Sequence, residues 1–140
     1  MPPVGPLVAA RAYLLAELEA RDNPLPVGIN PPDGTPTSYA LISRPGSSAR
    51  VFLGDYLIRL RVFDVDAVRL ERNTDLLHRL LLSAAHTLIE TSEGDVWITA
   101  ATQSFGPASF DDDDVPLFGM QAAVFWTIGL KPETPAPAGS

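Results

Sequence analysis

Leu117-Phe118-Gly119-Met120-Gln121-Ala122-Ala123-Val124-Phe125-Trp126-Thr127-Ile128-Gly129-Leu130 is the most regular stretch of the chain. Every even position is apolar, and the odd positions include Gly119, Gln121, Thr127 and Gly129. A period of two marks a strand with one face in the core. Upstream, Tyr56 to Asp64 repeats the pattern: Ile58, Leu60 and Val62 alternate with Arg59, Arg61 and Phe63. One face is oily and the other carries two guanidiniums, which suits a sheet covered mainly on one side. Ser38 to Arg44 predicts a shorter strand, turned back by Pro45-Gly46-Ser47-Ser48. Glu93-Gly94-Asp95 predicts a turn into a strand over Val96 to Gln103.

Two segments follow helical spacing instead. Pro6 is placed to open a helix over Leu7 to Arg21, with Leu7, Leu14 and Leu18 on one side and Asp22-Asn23-Pro24 as its stop. Pro24 to Pro36 reads as an irregular connection turning at Pro31-Pro32-Asp33-Gly34. Asp64 or Asp66 can cap a second helix running to about Ile89, with Leu76, Leu77, Leu80, Ala84 and Leu88 as its apolar stripe. Asp75 and Arg79 are spaced four apart, acid first, for an ion pair on it. The expected fold is α/β, more narrowly α+β: a mainly antiparallel four-stranded sheet with two helices packed on one face, in the order α-β-β-α-β-β. Residues 1–131 form one expected domain, and the proline-rich residues 132–140 a flexible tail, too poor in apolar surface to order alone.

Composition narrows the chemistry. The 140 residues contain no cysteine, so disulfides, thiolate zinc sites and thiol nucleophiles are excluded. The formal charge is −7, and the few basic residues are scattered, which argues against tight gripping of a nucleic acid backbone. No basic, apolar leader and no run of about 18 apolar residues is present, so a soluble protein made inside the cell, with no membrane partner, is expected.

No Gly-x-Ser-x-Gly elbow, Gly-x-x-x-x-Gly-Lys loop or His-Glu-x-x-His helix occurs. The sequence therefore offers no catalytic residue, no cofactor and no metal site, and the expectation is that the protein is not an enzyme. His78 and His86, read on one helix, stand about 12 Å apart and cannot share an ion. The run Asp111-Asp112-Asp113-Asp114 lacks the alternating spacing of a calcium loop. It reads as a solvated loop, or as a charged rim or lumen in an assembly, where repetition around a ring multiplies the field. Arg59 and Arg61, opposite the oily face of their strand, either keep the sheet soluble or meet acidic groups of a neighbouring subunit. Phe125, among Gln121, Ala123 and Thr127, either meets a loop or anchors a partner.

The chain resembles the tail-terminator (tail-completion) proteins of long-tailed bacteriophages from about Val4 to Leu130. The features that carry the resemblance are the helix Leu7 to Arg21, the proline-rich passage Pro24 to Pro36, and the join Arg59-Leu60-Arg61-Val62-Phe63-Asp64-Val65-Asp66. Gly106-Pro107 then leads through the acidic loop to Pro116-Leu117-Phe118-Gly119-Met120-Gln121 and Val124-Phe125-Trp126-Thr127. The resemblance implies a homo-hexameric ring seated on the tail tube protein, ending its polymerisation and offering a surface to neck and head-completion proteins. DNA would pass through the ring without specific binding. It implies a virion protein of the tail or neck, assembled in the cytoplasm of a bacterial host. Arg59, Arg61, Asp111, Asp112, Asp113, Asp114 and Phe125 are then candidate interface or lumen residues. A head-tail connector of the neck shares the size and the lack of motifs; a small-ligand binding domain or an enzyme using the acidic loop requires a concave polar pocket.

Overall fold

The computed structural model describes residues 5–44, 54–112 and 115–129. At its centre, β3 (Gly54–Asp64) and β6 (Phe118–Gly129) pair antiparallel from Gly54↔Ile128 to Asp64↔Phe118. This register puts Ile58 opposite Val124 and Leu60 opposite Ala122, so the apolar faces of both strands fall on the same side of the sheet. β2 (Ser38–Ser43) adds to the free side of β3, with Ala40 and Ile42 continuing that side. β5 (Gly94–Phe110) adds to the free side of β6 and brings Val96 and Ile98.

Two helices close over this side. In α1 (Pro6–Ala20), Ala9, Ala10, Leu14 and Leu18 are buried. Asp22 ends it in a left-handed conformation, φ 54°. The Asn23 N–H then reaches the Leu18 carbonyl at 2.9 Å, and the Asp22 N–H reaches Glu19 at 3.1 Å. These two bonds satisfy carbonyls that the helix end leaves open. In α2 (Ala67–Leu82), Leu70, Leu77, Leu80 and Leu81 are buried, and Asp66 caps the start by accepting from Val68 N at 2.9 Å. Leu14, Leu77, Ile58, Val124 and Trp126 belong to one continuous core.

The α+β class and both helices on one face agree with the sequence expectation; the sheet differs. Among the described residues it has six strands, ordered β1-β2-β3-β6-β5-β4, not four. One extra strand is β1 (Val27–Gly28), a two-residue parallel neighbour of β2 inside the proline-rich connection. Its flanking prolines lack the N–H groups a longer ladder needs. The other is β4 (Thr87–Thr91), which pairs with the start of β5. The second helix therefore stops at Leu82, short of the expected Ile89. Leu88 fits a helical stripe, but Thr-Leu-Ile-Glu-Thr is β-branched and favours a strand. His86, at φ 60°, makes the break, and its N–H bonds the Ile98 carbonyl at 2.6 Å. The expected Asp75 and Arg79 pair is replaced by a bond from Arg79 Nε to the Asp75 main-chain carbonyl at 3.3 Å. The expected turn at Pro45 to Ser48 and the tail 132–140 lie outside the described residues.

Trp126 joins the layers. Its side chain is fully buried, its indole Nε1 donates to the Leu81 carbonyl at 2.8 Å, and its ring meets Tyr13 edge-on with centroids 6.1 Å apart. Leu81 lies in the last turn of α2, where carbonyls have no partner within the helix. Trp126→Ala is expected to destabilise the fold by about 3–5 kcal/mol in a denaturant titration. Trp126→Phe, which keeps most of the packing but leaves the Leu81 carbonyl only the longer 3.4 Å bond from the Ala84 N–H, is expected to cost about 0.5–1.5 kcal/mol.

Candidate interaction surface

The side of the sheet away from the helices is covered unevenly. At one end Tyr39, Leu41 and Phe63 form a second small core with Phe110, Val115 and Leu117 from the segment that returns β5 to β6. Phe63 stacks on Tyr39 with centroids 4.9 Å apart, and Phe110 meets Phe63 edge-on at 5.5 Å. Gly119 is required beneath them, since a Cβ there would stand 2.9 Å from the Phe110 ring. The sequence expectation of a sheet covered mainly on one side thus describes only the rest of this face.

On that remainder, pairing sets the neighbours. Arg59 lies between Ser43 and Ala123, Arg61 between Leu41 and Gln121, and Phe125 between Leu57 and Thr102. Directly opposed residues of an antiparallel pair share a face, so the pairing of β3 with β6 brings Arg59, Arg61 and Phe125 onto one surface. Arg59 Nε donates to Ser43 Oγ at 3.3 Å. Arg61 Nε is buried with no hydrogen-bond partner among the described residues. Phe125 is 40% exposed.

Asp112 approaches the arginine end of the face. Burial pushes the Tyr39 hydroxyl up from its ordinary pKa, the Asp112 carboxylate adds to the rise, and the Arg61 guanidinium opposes it. Asp111 is exposed, and Asp113 and Asp114 lie outside the described residues. Phe125 is at the other end: it faces Leu57, four residues along β3 from Arg61, or roughly 13 Å by strand rise. Tyr39 thus lies within electrostatic reach of both Asp112 and Arg61, while Phe125 stands at the far end of the face.

Phe105 belongs to this surface and was not expected from the sequence. It is 38% exposed and pairs with Ala123, beside Phe125 on β6. β5 has register irregularities between Ile98 and Ala100, Gln103 and Phe105, and Phe105 and Ala108. Each extra residue resets which side chains point to which face, so simple alternation loses track of Phe105. Gly106-Pro107 is the sequence signal of that irregularity.

At the join of β3 and α2, Asp64 is fully buried. Arg69 grips it from Nε at 2.7 Å and from Nη2 at 2.8 Å; Ser38 Oγ donates at 2.9 Å and the Asp66 N–H at 2.8 Å. Desolvation pushes the Asp64 pKa up, but the bonds from Arg69, Asp66 and Ser38 together outweigh it and hold the carboxyl below its ordinary value. His78 is buried, with Nε2 unpartnered among the described residues. Burial pulls its pKa down, and the Asp75 carboxylate only partly opposes this. His86 is not on the same helix, as the break at the end of α2 places it in the following turn. Among the described residues, no three His, Cys, Asp or Glu side chains are grouped to hold a metal ion. No helix among them is long and apolar enough to cross a membrane.

No protein-family profile and no curated protein matches the chain.

Stability should fall in two steps as pH is lowered. His78 has a depressed pKa, so its contribution is complete above the unfolded value near 6.5 and is lost as pH falls toward the folded one. Asp64 has a depressed pKa as well, so its contribution holds above the unfolded value near 3.8 and disappears as pH falls through the folded one. Denaturation midpoints across pH 3–7 should lose the upper slope in His78→Gln and the lower slope in Asp64→Asn, relative to the unmodified protein.

Proposed function

We propose that this protein is a structural virion component of a long-tailed bacteriophage, closing the end of the tail tube as a ring of like subunits. The observation that carries the reading is the helix-free sheet surface, where Phe105 and Phe125 are exposed side by side near Arg59. Exposed aromatics flanked by arginine are the composition of a protein contact. The opposite side of the sheet is closed by helices, so the two sides of a subunit are dissimilar. Dissimilar surfaces meet head to tail, and such contacts close into rings when the rotation permits.

The sequence resemblance supplies the setting. A tube polymer exposes the same interface after each added ring, and growth stops when a subunit binds that interface without offering it again. The net charge of −7 supports passage of DNA through the bore, because a cationic lumen would hold DNA by releasing counterions. The role needs no reaction, cofactor or membrane. Partners on this reading are further copies of the chain, the tail tube protein and the neck proteins, with six subunits as the family expectation.

Electron microscopy of particles made without the protein tests the reading. Tails of uncontrolled length, or tails that fail to join heads, are expected. Normal tails on filled heads would overturn it, and normal unattached tails beside heads that leak DNA would assign the protein to the neck connector instead. Phe125→Asp should block ring incorporation while leaving the melting temperature of the free protein within a few degrees, since surface changes usually shift stability by about 0.5 kcal/mol or less.

A further inference from the structure

The passage from β1 to β2, residues 29–37, contains Pro31, Pro32 and Pro36, each with its φ locked at about −65°. Between them Asp33 and Gly34 are exposed. Gly34 has φ 83°, in the left-handed region that favours glycine, and a Cβ built on it would meet nothing within 4 Å. Among the described residues, neither the Gly34 N–H nor the Asp33 side chain makes a hydrogen bond or ion pair. A main-chain N–H that follows an aspartate can close a five-membered ring onto that side chain's Cγ. Closure needs a nitrogen released from hydrogen bonding and a following residue that does not crowd the ring, and the turn supplies both.

Other Asp and Asn residues lack one or both conditions. Asn23 and Asn30 each precede proline, whose nitrogen has no hydrogen to give up. The N–H after Asp22 is bonded to the Leu18 carbonyl at 2.9 Å, and the N–H after Asp64 to the Thr37 carbonyl at 3.0 Å. Asn73 and Asp75 lie inside α2, and Asp95 inside β5, where the backbone is held in a regular ladder. Asp33 is also the only Asp or Asn in the sequence that precedes glycine.

We propose that Asp33-Gly34 is a site of spontaneous covalent modification, the isomerisation of Asp33 to isoaspartate through a cyclic imide. The Gly34 nitrogen bonds to Asp33 Cγ and loses its proton, while the protonated carboxyl loses its hydroxyl; the two leave as water. A second water opens the ring. Attack at Cγ restores aspartate, and attack at the main-chain carbonyl carbon gives isoaspartate, whose backbone runs through Cβ and Cγ. The passage is then one backbone atom longer. The neighbouring prolines cannot absorb the change, so it falls on the turn that lines a groove of about 350 Å3 with Tyr39, Pro116 and Leu117. The site is independent of the tail-terminator reading.

Incubation of the native full-length protein in heavy-oxygen water at neutral pH, followed by digestion in ordinary water and mass spectrometry, tests this. The peptide containing Asp33 should gain one heavy oxygen and split into two chromatographic forms of equal mass, one of them a substrate for an isoaspartyl methyltransferase. Peptides containing Asp22, Asp64, Asp75 and Asp95 should remain single and unlabelled. Asp33→Glu, which would need a six-membered ring, should lose the second form. An Asp33 peptide that stays single in the native protein but splits in the urea-unfolded chain would overturn the proposal, since the folded turn would then be holding the nitrogen away. Equal labelling at Asp22 or Asp64 in the native protein would overturn the assignment to this turn.

Discussion

The indole of Trp126 bonded to the Leu81 carbonyl is the constraint on which the arrangement of layers depends. A strand in the middle of the sheet must hold its partner at one depth, while α2 must end where β4 can begin. The Trp126 bond fixes both, because its donor sits on β6 and its acceptor is one of the carbonyls that α2 cannot use itself. Tyr13 closes on the same ring from α1. One large side chain thus sets the positions of two helices against the central strand, and its indole nitrogen is satisfied in a dry core, as a buried polar group must be.

A second fixed point lies at the other end of α2. Buried Asp64 is tied to Arg69, Ser38 and the Asp66 N–H, so the last residue of β3, the start of β2 and the first turns of the helix share one polar knot. Burying a carboxylate is costly unless it is paired and hydrogen-bonded, and here both its oxygens are engaged. Arg69 is thereby held in one orientation by a buried acid.

The two sides of the sheet consequently differ in kind. The helix side is continuous core. Among the described residues, the other side is sealed only at one end, by the aromatic cluster of Tyr39, Phe63 and Phe110, and elsewhere presents Arg59, Phe105 and Phe125. That asymmetry fits the proposed role, since a subunit that ends a polymer needs surfaces that are not interchangeable.

Periodicity in the sequence was sufficient for β3, β6, α1 and the start of α2, because each buries a face whose repeat of 2 or 3.6 residues is written in neighbouring side chains. It also put Arg59, Arg61 and Phe125 on the outward faces of their strands, which the pairing of β3 with β6 makes one surface. The positions it missed are those decided by partners distant in the chain. Leu88 satisfies a helical stripe as well as a strand, and only the pairing of β4 with β5 selects the strand. Two residues of β1 carry no period at all and exist because β2 runs beside them. Phe105 faces outward because bulges reset the alternation of β5 against β6, and Asp64 is buried because Ser38 and Arg69 converge on it from two other elements. Local patterning determined which segments have a face to bury; tertiary contact decided what each face meets, because registry and charge neutralisation are set by atoms that the chain brings together only on folding.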